Sequence, residues 1–96
     1  MTHSANAVFI SGGGSGIGRY LARHYASRGL PVAVFDLAIA ESVRGELTRL
    51  PGSTAFSFHE VDVCDAAGLE AAAIAAVDAV GVPRLAINCA ARWSTP

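Results

Sequence analysis

Five glycines stand within residues 12–18, in the string SGGGSGIG, between an apolar run and a helical pattern. Glycines at such a junction let a ligand approach the backbone, and the helix that follows offers unsatisfied N–H donors and a positive dipole end. The chemistry available there is the binding of phosphate groups. Spacing narrows it further. A Walker A loop places Lys and Ser or Thr after its last glycine, whereas Gly13 and Gly18, which have the right separation, are followed by Arg19 and Tyr20. The GxGxxG fingerprint also fails, because no start in the run puts glycines at i, i+2 and i+5. What fits is Gly12-xxx-Gly16-x-Gly18 behind the hydroxyl residue Ser11. In that pattern Gly12 permits a sharp exit from a strand and Gly16 lets a pyrophosphate approach the backbone. Gly18 lets helix and strand pack closely.

Such a cradle needs a sheet to hold it, and the rest of the chain supplies the pattern of one. AVFIS (7–11) reads as a buried strand, and Ile17, Leu21 and Tyr25 follow on one helical face, stopped by Gly29 and Pro31. VAVF (32–35) is a second strand, apolar on both faces as parallel strands are. Ile39, Val43, Leu47 and Leu50 recur at helical intervals before Pro51-Gly52. TAFSFHEV (54–61) reads as a third strand, and Asp65 as the N-cap of an Ala-rich helix carrying Leu69, Ala73, Ala76 and Val80. Gly81 and Pro83 close that helix, and LAIN (85–88) is a fourth strand. The order βαβαβαβ predicts an α/β fold, a Rossmann-like doubly wound parallel sheet of four strands and three helices, in a single domain over 1–96. In such sheets ligands bind beyond the carboxyl ends of the strands, near the point where strand order reverses. The residues of interest therefore follow each strand: 11–18, Asp36, Asp62 with Val63, and 88–91.

Composition limits the function classes. A 52% hydrophobic, 16% charged chain packs a core rather than staying disordered. Its net charge of −1 gives no basic footprint for nucleic acid or anionic membrane. The longest apolar run, AAAIAAV (71–77), falls far short of the ~20 residues that span a bilayer. His3, His24 and His59 have no metal-ligand spacing, so no metal site is expected. Cys64 and Cys89 form no CxxC pair, and the N-terminal AVFI lacks the basic flank of a signal peptide. Reduced thiols in a cytoplasmic protein are the expectation.

The string SGGGSGIG, joined to Asp36, Asp62-Val63 and NCAA (88–91), resembles the short-chain dehydrogenase/reductase family, whose opening motif is TGxxxGxG. Ser11 stands where that family has Thr. NCAA stands where it has NNAG: Asn88 and Ala90 match, while Cys89 and Ala91 do not. Cys at the second position resembles the hydroxyacyl-CoA dehydrogenase type 2 branch, which carries NCAG. The resemblance implies that Ser15 and Ile17 lie against cofactor phosphates and ribose, largely through the backbone. It implies that Asp62 accepts from an adenine amino group while the backbone of Val63 holds the ring edge. Asp62 can equally cap the turn before Asp65. It also implies cofactor contact at Asn88, Cys89 and Ala90, with Cys89 contributing backbone and its side chain serving as a small buried hydrophobe. Asp36, 18 residues beyond Gly18, can accept from ribose hydroxyls and would repel a 2′-phosphate, although a solvated strand-end carboxylate is the plain alternative. With Ser15 and Leu37 in place of bases, NAD is expected over NADP.

The family's chemistry uses a Ser and a Tyr-xxx-Lys pair in which Tyr exchanges a proton with the substrate oxygen. All seven basic residues here are arginine, so no such pair exists in these 96 residues. Four residues after Tyr20 stands His24, and after Tyr25 stands Gly29. The expectation is the N-terminal, cofactor-binding portion of a longer NAD-dependent oxidoreductase, inactive alone, with the fourth strand left as an apolar edge. The complete enzyme is expected to be a homo-oligomer that moves hydride between nicotinamide and a small-molecule carbonyl or secondary alcohol. Two other readings stay open: a catalytically silent dinucleotide-binding regulatory module, and a methyltransferase-type fold binding S-adenosylmethionine. The methyltransferase type usually carries an acid where Ser11 stands.

Overall fold

The structure, a computed structural model, describes residues 6–14, 16–52 and 55–89. Four strands and three helices alternate: β1 (Ala7–Ser11), α1 (Gly16–Ser27), β2 (Val32–Asp36), α2 (Glu41–Thr48), β3 (Phe56–Glu60), α3 (Ala66–Val80) and β4 (Pro83–Asn88). All strand pairings are parallel, in the order β3-β2-β1-β4. Val8 stands beside Val32 and Leu85, and Asp36 beside Glu60. This is the Rossmann-like α/β sheet that the alternation of apolar runs and helical patterns predicts.

Handedness decides which face each helix covers. The steps β1→β2 and β2→β3 run the same way, so right-handed crossovers put α1 and α2 on one face. The step β3→β4 runs back past two strands and puts α3 on the other. The central strands β1 and β2 therefore need apolar residues of both parities. Val8, Ile10, Val32 and Val34 pack with Ala22 and Ala26 of α1 and Val43 and Leu47 of α2. Ala33 and Phe35 pack with Ala76, and Phe9, Leu69, Ala72 and Val80 flank them. No helix among the described residues is long and apolar enough to cross a membrane.

Local signals set the ends. Asp65 caps α3 by accepting from the Gly68 N–H at 3.2 Å. Helix α1 closes with the two bonds of a Schellman motif, Leu30 N–H to Tyr25 O and Gly29 N–H to Ala26 O, with Gly29 at φ 81°.

Three expectations need correction. The inward face of α1 is Gly18, Ala22 and Ala26, with Leu21 and Tyr25 beside it, whereas Ile17 is 74% exposed. The helix lies too close to the sheet for a large side chain in its first turn. On α3, Ala72 rather than Ala73 joins Leu69, Ala76 and Val80 against the sheet. Strand β4 begins at Pro83 instead of Leu85, with a register shift opposite Ala7 and Val8. An edge strand tolerates a proline as its first residue because that position needs no ladder donor.

On the α3 face of the sheet, His59 stacks on Phe35 with ring centroids 5.1 Å apart and pairs through Nε2 with the Ser57 hydroxyl. Burial pushes the His59 pKa below its ordinary value. The unfolded chain then binds more protons than the folded one, starting near the ordinary imidazole value of about 6.5 and ending below the lowered value. Stability is lost as pH falls through that window. Denaturant titrations at about pH 7 and pH 5 should show a lower midpoint in acid, with a smaller drop in His59→Gln. An equal drop in both proteins would place the acid sensitivity elsewhere.

Candidate functional site

The strand order reverses between β1 and β4: from β1 the chain steps outward to β2 and β3, then returns on the other side. The carboxyl ends of these strands share one rim of the sheet. Along it stand Asp62 beyond β3, Asp36 ending β2, the glycine loop beyond β1 and Asn88 ending β4. Three inter-strand steps make this row ~14 Å long, a span suited to an extended ligand rather than a single ring.

The loop is built by four different constraints on its glycines. Gly12 leaves β1 at φ 76° while its N–H continues the parallel ladder to Phe35 O at 2.6 Å. A Cβ on Gly13 would stand 2.8 Å from the Val34 side chain, so the loop lies flat on the sheet. A Cβ on Gly18 would stand 2.0 Å from Gly12 O and 2.9 Å from the Gly13 Cα, which fixes the first turn of α1 against the strand exit. Gly16 is the opposite case. It opens α1 at φ 56°, and a Cβ there would meet nothing within 4 Å. The packing glycines face the sheet and the open one stands at the helix N-terminus, where anions are favoured.

Each acid on the rim is held by neighbouring backbone. Asp36 accepts from Gly14 N–H at 3.0 Å through Oδ2 and from Leu37 N–H at 2.8 Å through Oδ1. Asp62 accepts from Cys64 N–H at 2.9 Å, and its carbonyl accepts from Asp65 N–H. The turn-capping role of Asp62 is thus present in the structure. Glu60 accepts from Ile39 N–H at 2.8 Å and pairs with Arg44 at 3.4 Å, which pins the 37–40 loop beside Asp36. On the far side the Ser11 hydroxyl donates to Asn88 Oδ1 at 2.8 Å, and Cys89 N–H continues the ladder to Ser11 O.

The structure thus brings Gly12, Gly16, Gly18, Asp36 and Asn88 to adjoining strand ends, with Asp62 and Val63 at the β3 end of the row. Ile17 is exposed at the first turn of α1, and Cys89 packs its side chain against the core beneath. Ser15 and Ala90 lie outside the described residues. Three contributors were not singled out from the sequence. Gly14 was hidden among identical neighbours, and the Ser11 hydroxyl was noted only as a motif position. Glu60 had one signal, an acid at the end of an apolar strand two residues before Asp62.

Residues 6–96 match the family described as short chain dehydrogenase. The chain is 37% identical over 87 residues to the protein named "Probable galactose dehydrogenase GalD" of Rhizobium meliloti (strain 1021), covering 88% of this chain and 34% of that protein. A 3-oxoacyl-(acyl-carrier protein) reductase from Brucella melitensis, solved in complex with NAD, superposes with a TM-score of 0.84 at 28% identity. That match covers 99% of this chain and 37% of the reductase. A double mutant of a short-chain dehydrogenase/reductase from Serratia marcescens also gives 0.84, at 29% identity, covering 95% and 38%. The chain spans about one third of the length of each of these proteins.

The two glycines of the first turn should respond differently to a methyl group. Gly18→Ala forces backbone apart and should cost ~1–3 kcal/mol or more. Gly16→Ala meets open space and should cost only the left-handed penalty of ~1–2 kcal/mol. Denaturation midpoints of the two variants check this, and a Gly18→Ala protein as stable as wild type would contradict the close helix–strand contact.

Proposed function

The chain belongs to the short chain dehydrogenase family, and on that premise we propose that it is the NAD(H)-binding portion of an oxidoreductase. The observation that carries this reading is the placement of the glycine loop and the Asp36 carboxylate at neighbouring strand ends, joined by the Gly14 N–H. The loop and the N-terminus of α1 would receive a pyrophosphate, with the open approach at Gly16 giving it room. Asp36 would accept from the hydroxyls of the adenosine ribose. Asp62 and Val63 lie on the adenine side of that ribose, and Asn88 with Cys89 on the nicotinamide side. Ser15, Ile17 and Ala90 complete the proposed contacts.

The residues fit such a cofactor. Asp36 is an acceptor with no unpaired base beside it among the described residues: Leu37 follows, and Arg44 is engaged by Glu60. A 2′-phosphate would meet the Asp36 carboxylate there, so NAD is preferred over NADP. When bound, the nicotinamide would give a hydride from C4 to a carbonyl carbon, or in its oxidised form accept one there from a secondary alcohol carbon. The task of this chain's residues is to bind the cofactor and orient it.

The relatives' names point to different substrates, a sugar for one and a 3-oxoacyl group for another. The third they share with this chain therefore suits cofactor binding better than substrate choice. With no lysine, the chain contains no Tyr-xxx-Lys pair, so turnover would need residues from elsewhere in a complete enzyme. That absence also supports the second reading, a dinucleotide-binding module that performs no chemistry itself. The complete enzyme is proposed to act in the cytoplasm as a homo-oligomer on a small-molecule carbonyl or alcohol.

Titration calorimetry with NAD tests the binding reading. Asp36→Ala should weaken NAD by about 1.5–3 kcal/mol, tenfold or more, while NADP is unchanged or improved. Equal losses for both dinucleotides would remove Asp36 from the ribose site. The chain alone, given NAD and a secondary alcohol, should bind without forming NADH.

A further inference from the structure

We propose, resting on the NAD reading above, that Gly14 is the positioning residue for Asp36. Its N–H holds the carboxylate that selects an unmodified ribose diol, and its missing side chain leaves room for that carboxylate. A carboxylate is acceptor-only, with about four lone-pair positions on its two oxygens. Among the described residues each Asp36 oxygen accepts one bond, Oδ2 from Gly14 and Oδ1 from Leu37. The two donors lie on different segments, one on the glycine loop and one on the chain leaving β2. The carboxylate is therefore fixed in rotation, with one acceptor position per oxygen for an incoming ligand. Two adjacent acceptors suit two adjacent hydroxyls, which is the chemistry of a vicinal diol.

Sterics make residue 14 specific to this task. A Cβ there would stand 2.8 Å from Oδ2 of Asp36 and 3.2 Å from the carbonyl oxygen of Ala38. The Ala38 carbonyl cannot easily withdraw, because the next residue is tied down by the bond from Ile39 N–H to Glu60 and by Arg44, which bonds Ile39 O. What yields to a side chain at 14 is the Asp36 carboxylate. Gly13 differs, since its missing Cβ makes room for core side chains of Val34 and Ile10. The Gly14 bond also sets the spacing between two subsites, because it joins the loop that would carry the pyrophosphate to the group that reads the ribose. The ligand class is an adenosine-type ribose with free 2′ and 3′ hydroxyls, attached to a diphosphate.

The test has two arms on the whole chain. In the ligand-free protein, amide hydrogen exchange followed by NMR should show Gly14 protected in wild type and accelerated in Asp36→Ala. Gly12, whose N–H bonds Phe35 O, should be unchanged. In the second arm NAD and NADP affinities are measured for wild type, Gly14→Ala, Asp36→Ala and the double variant, each checked for a cooperative melt. Gly14→Ala should weaken NAD about tenfold, leave NADP within about twofold, and cost nothing further once Asp36 is already Ala. A structural defect would instead weaken both dinucleotides and add to the Asp36 loss, which would overturn the proposal. So would a Gly14 amide whose exchange ignores Asp36, a result that needs no Gly14 variant to fold. If wild type binds no NAD while the Gly14 amide follows Asp36, the cofactor reading falls and the Gly14–Asp36 link stands. If NAD binds and the link is absent, the cofactor reading stands and this proposal falls.

Discussion

The first turn of α1 rests directly on the carbonyl of Gly12, with Gly18 so near that a Cβ would stand 2.0 Å from that oxygen. That contact sets the distance of α1 from the sheet. It also determines which residues of α1 can face inward. Ala22 and Ala26 continue the row begun by Gly18 and are fully buried, whereas Ile17 is turned outward. A helix held this close has its N-terminal donors at the strand ends instead of several ångströms above them. The chain leaving Gly12 consequently lies flat against Val34 and Ile10 at Gly13, and the backbone is open at Gly16.

A second consequence concerns the acids along the rim. Parallel strands end in backbone groups that the sheet no longer pairs, and the loops leaving them carry N–H groups in the same condition. Asp36, Glu60 and Asp62 each accept from such an N–H, and Asp65 accepts from one in the first turn of α3. Their carboxylates organise the loops before any ligand arrives, and preorganised acceptors orient a ligand with less entropic loss than mobile ones. The same geometry gives the rim its character: an open helix terminus favours anions in the middle, and an acid favours hydroxyl donors to one side.

Much of this was legible in the residue order. The alternation of apolar runs and helical patterns marks seven elements, most plainly at the central strands β1 and β2, where burial on two faces demands apolar residues of both parities. Gly29 and Asp65 mark helix ends through known local geometry. The spacing of Gly12, Gly16 and Gly18 was legible because a cradle needs each at a fixed place. The buried face of α1 was not. Periodicity favours the larger side chains of Ile17, Leu21 and Tyr25, and Leu21 and Tyr25 do pack against the core. Only the distance between helix and sheet reveals that Gly18, Ala22 and Ala26 form the innermost row while Ile17 stays outside. Gly14 and Glu60 were missed for a similar reason: each acts on a segment more than 20 residues away in the chain.

The sequence by itself determined the class of fold and the residue types at each strand end, because those follow from periodicity and local backbone chemistry, and its motifs at those ends carried the resemblance to the family. The tertiary structure decided which of those residues meet. Asp36 was an acid at the end of an apolar run until the parallel pairing of β1 with β2 set it 3.0 Å from the Gly14 N–H. A hydrogen bond needs its donor and acceptor within a narrow range of distance and angle, so no pattern of spacing along one chain can specify it. Only the register between strands and the depth of the helix above them could.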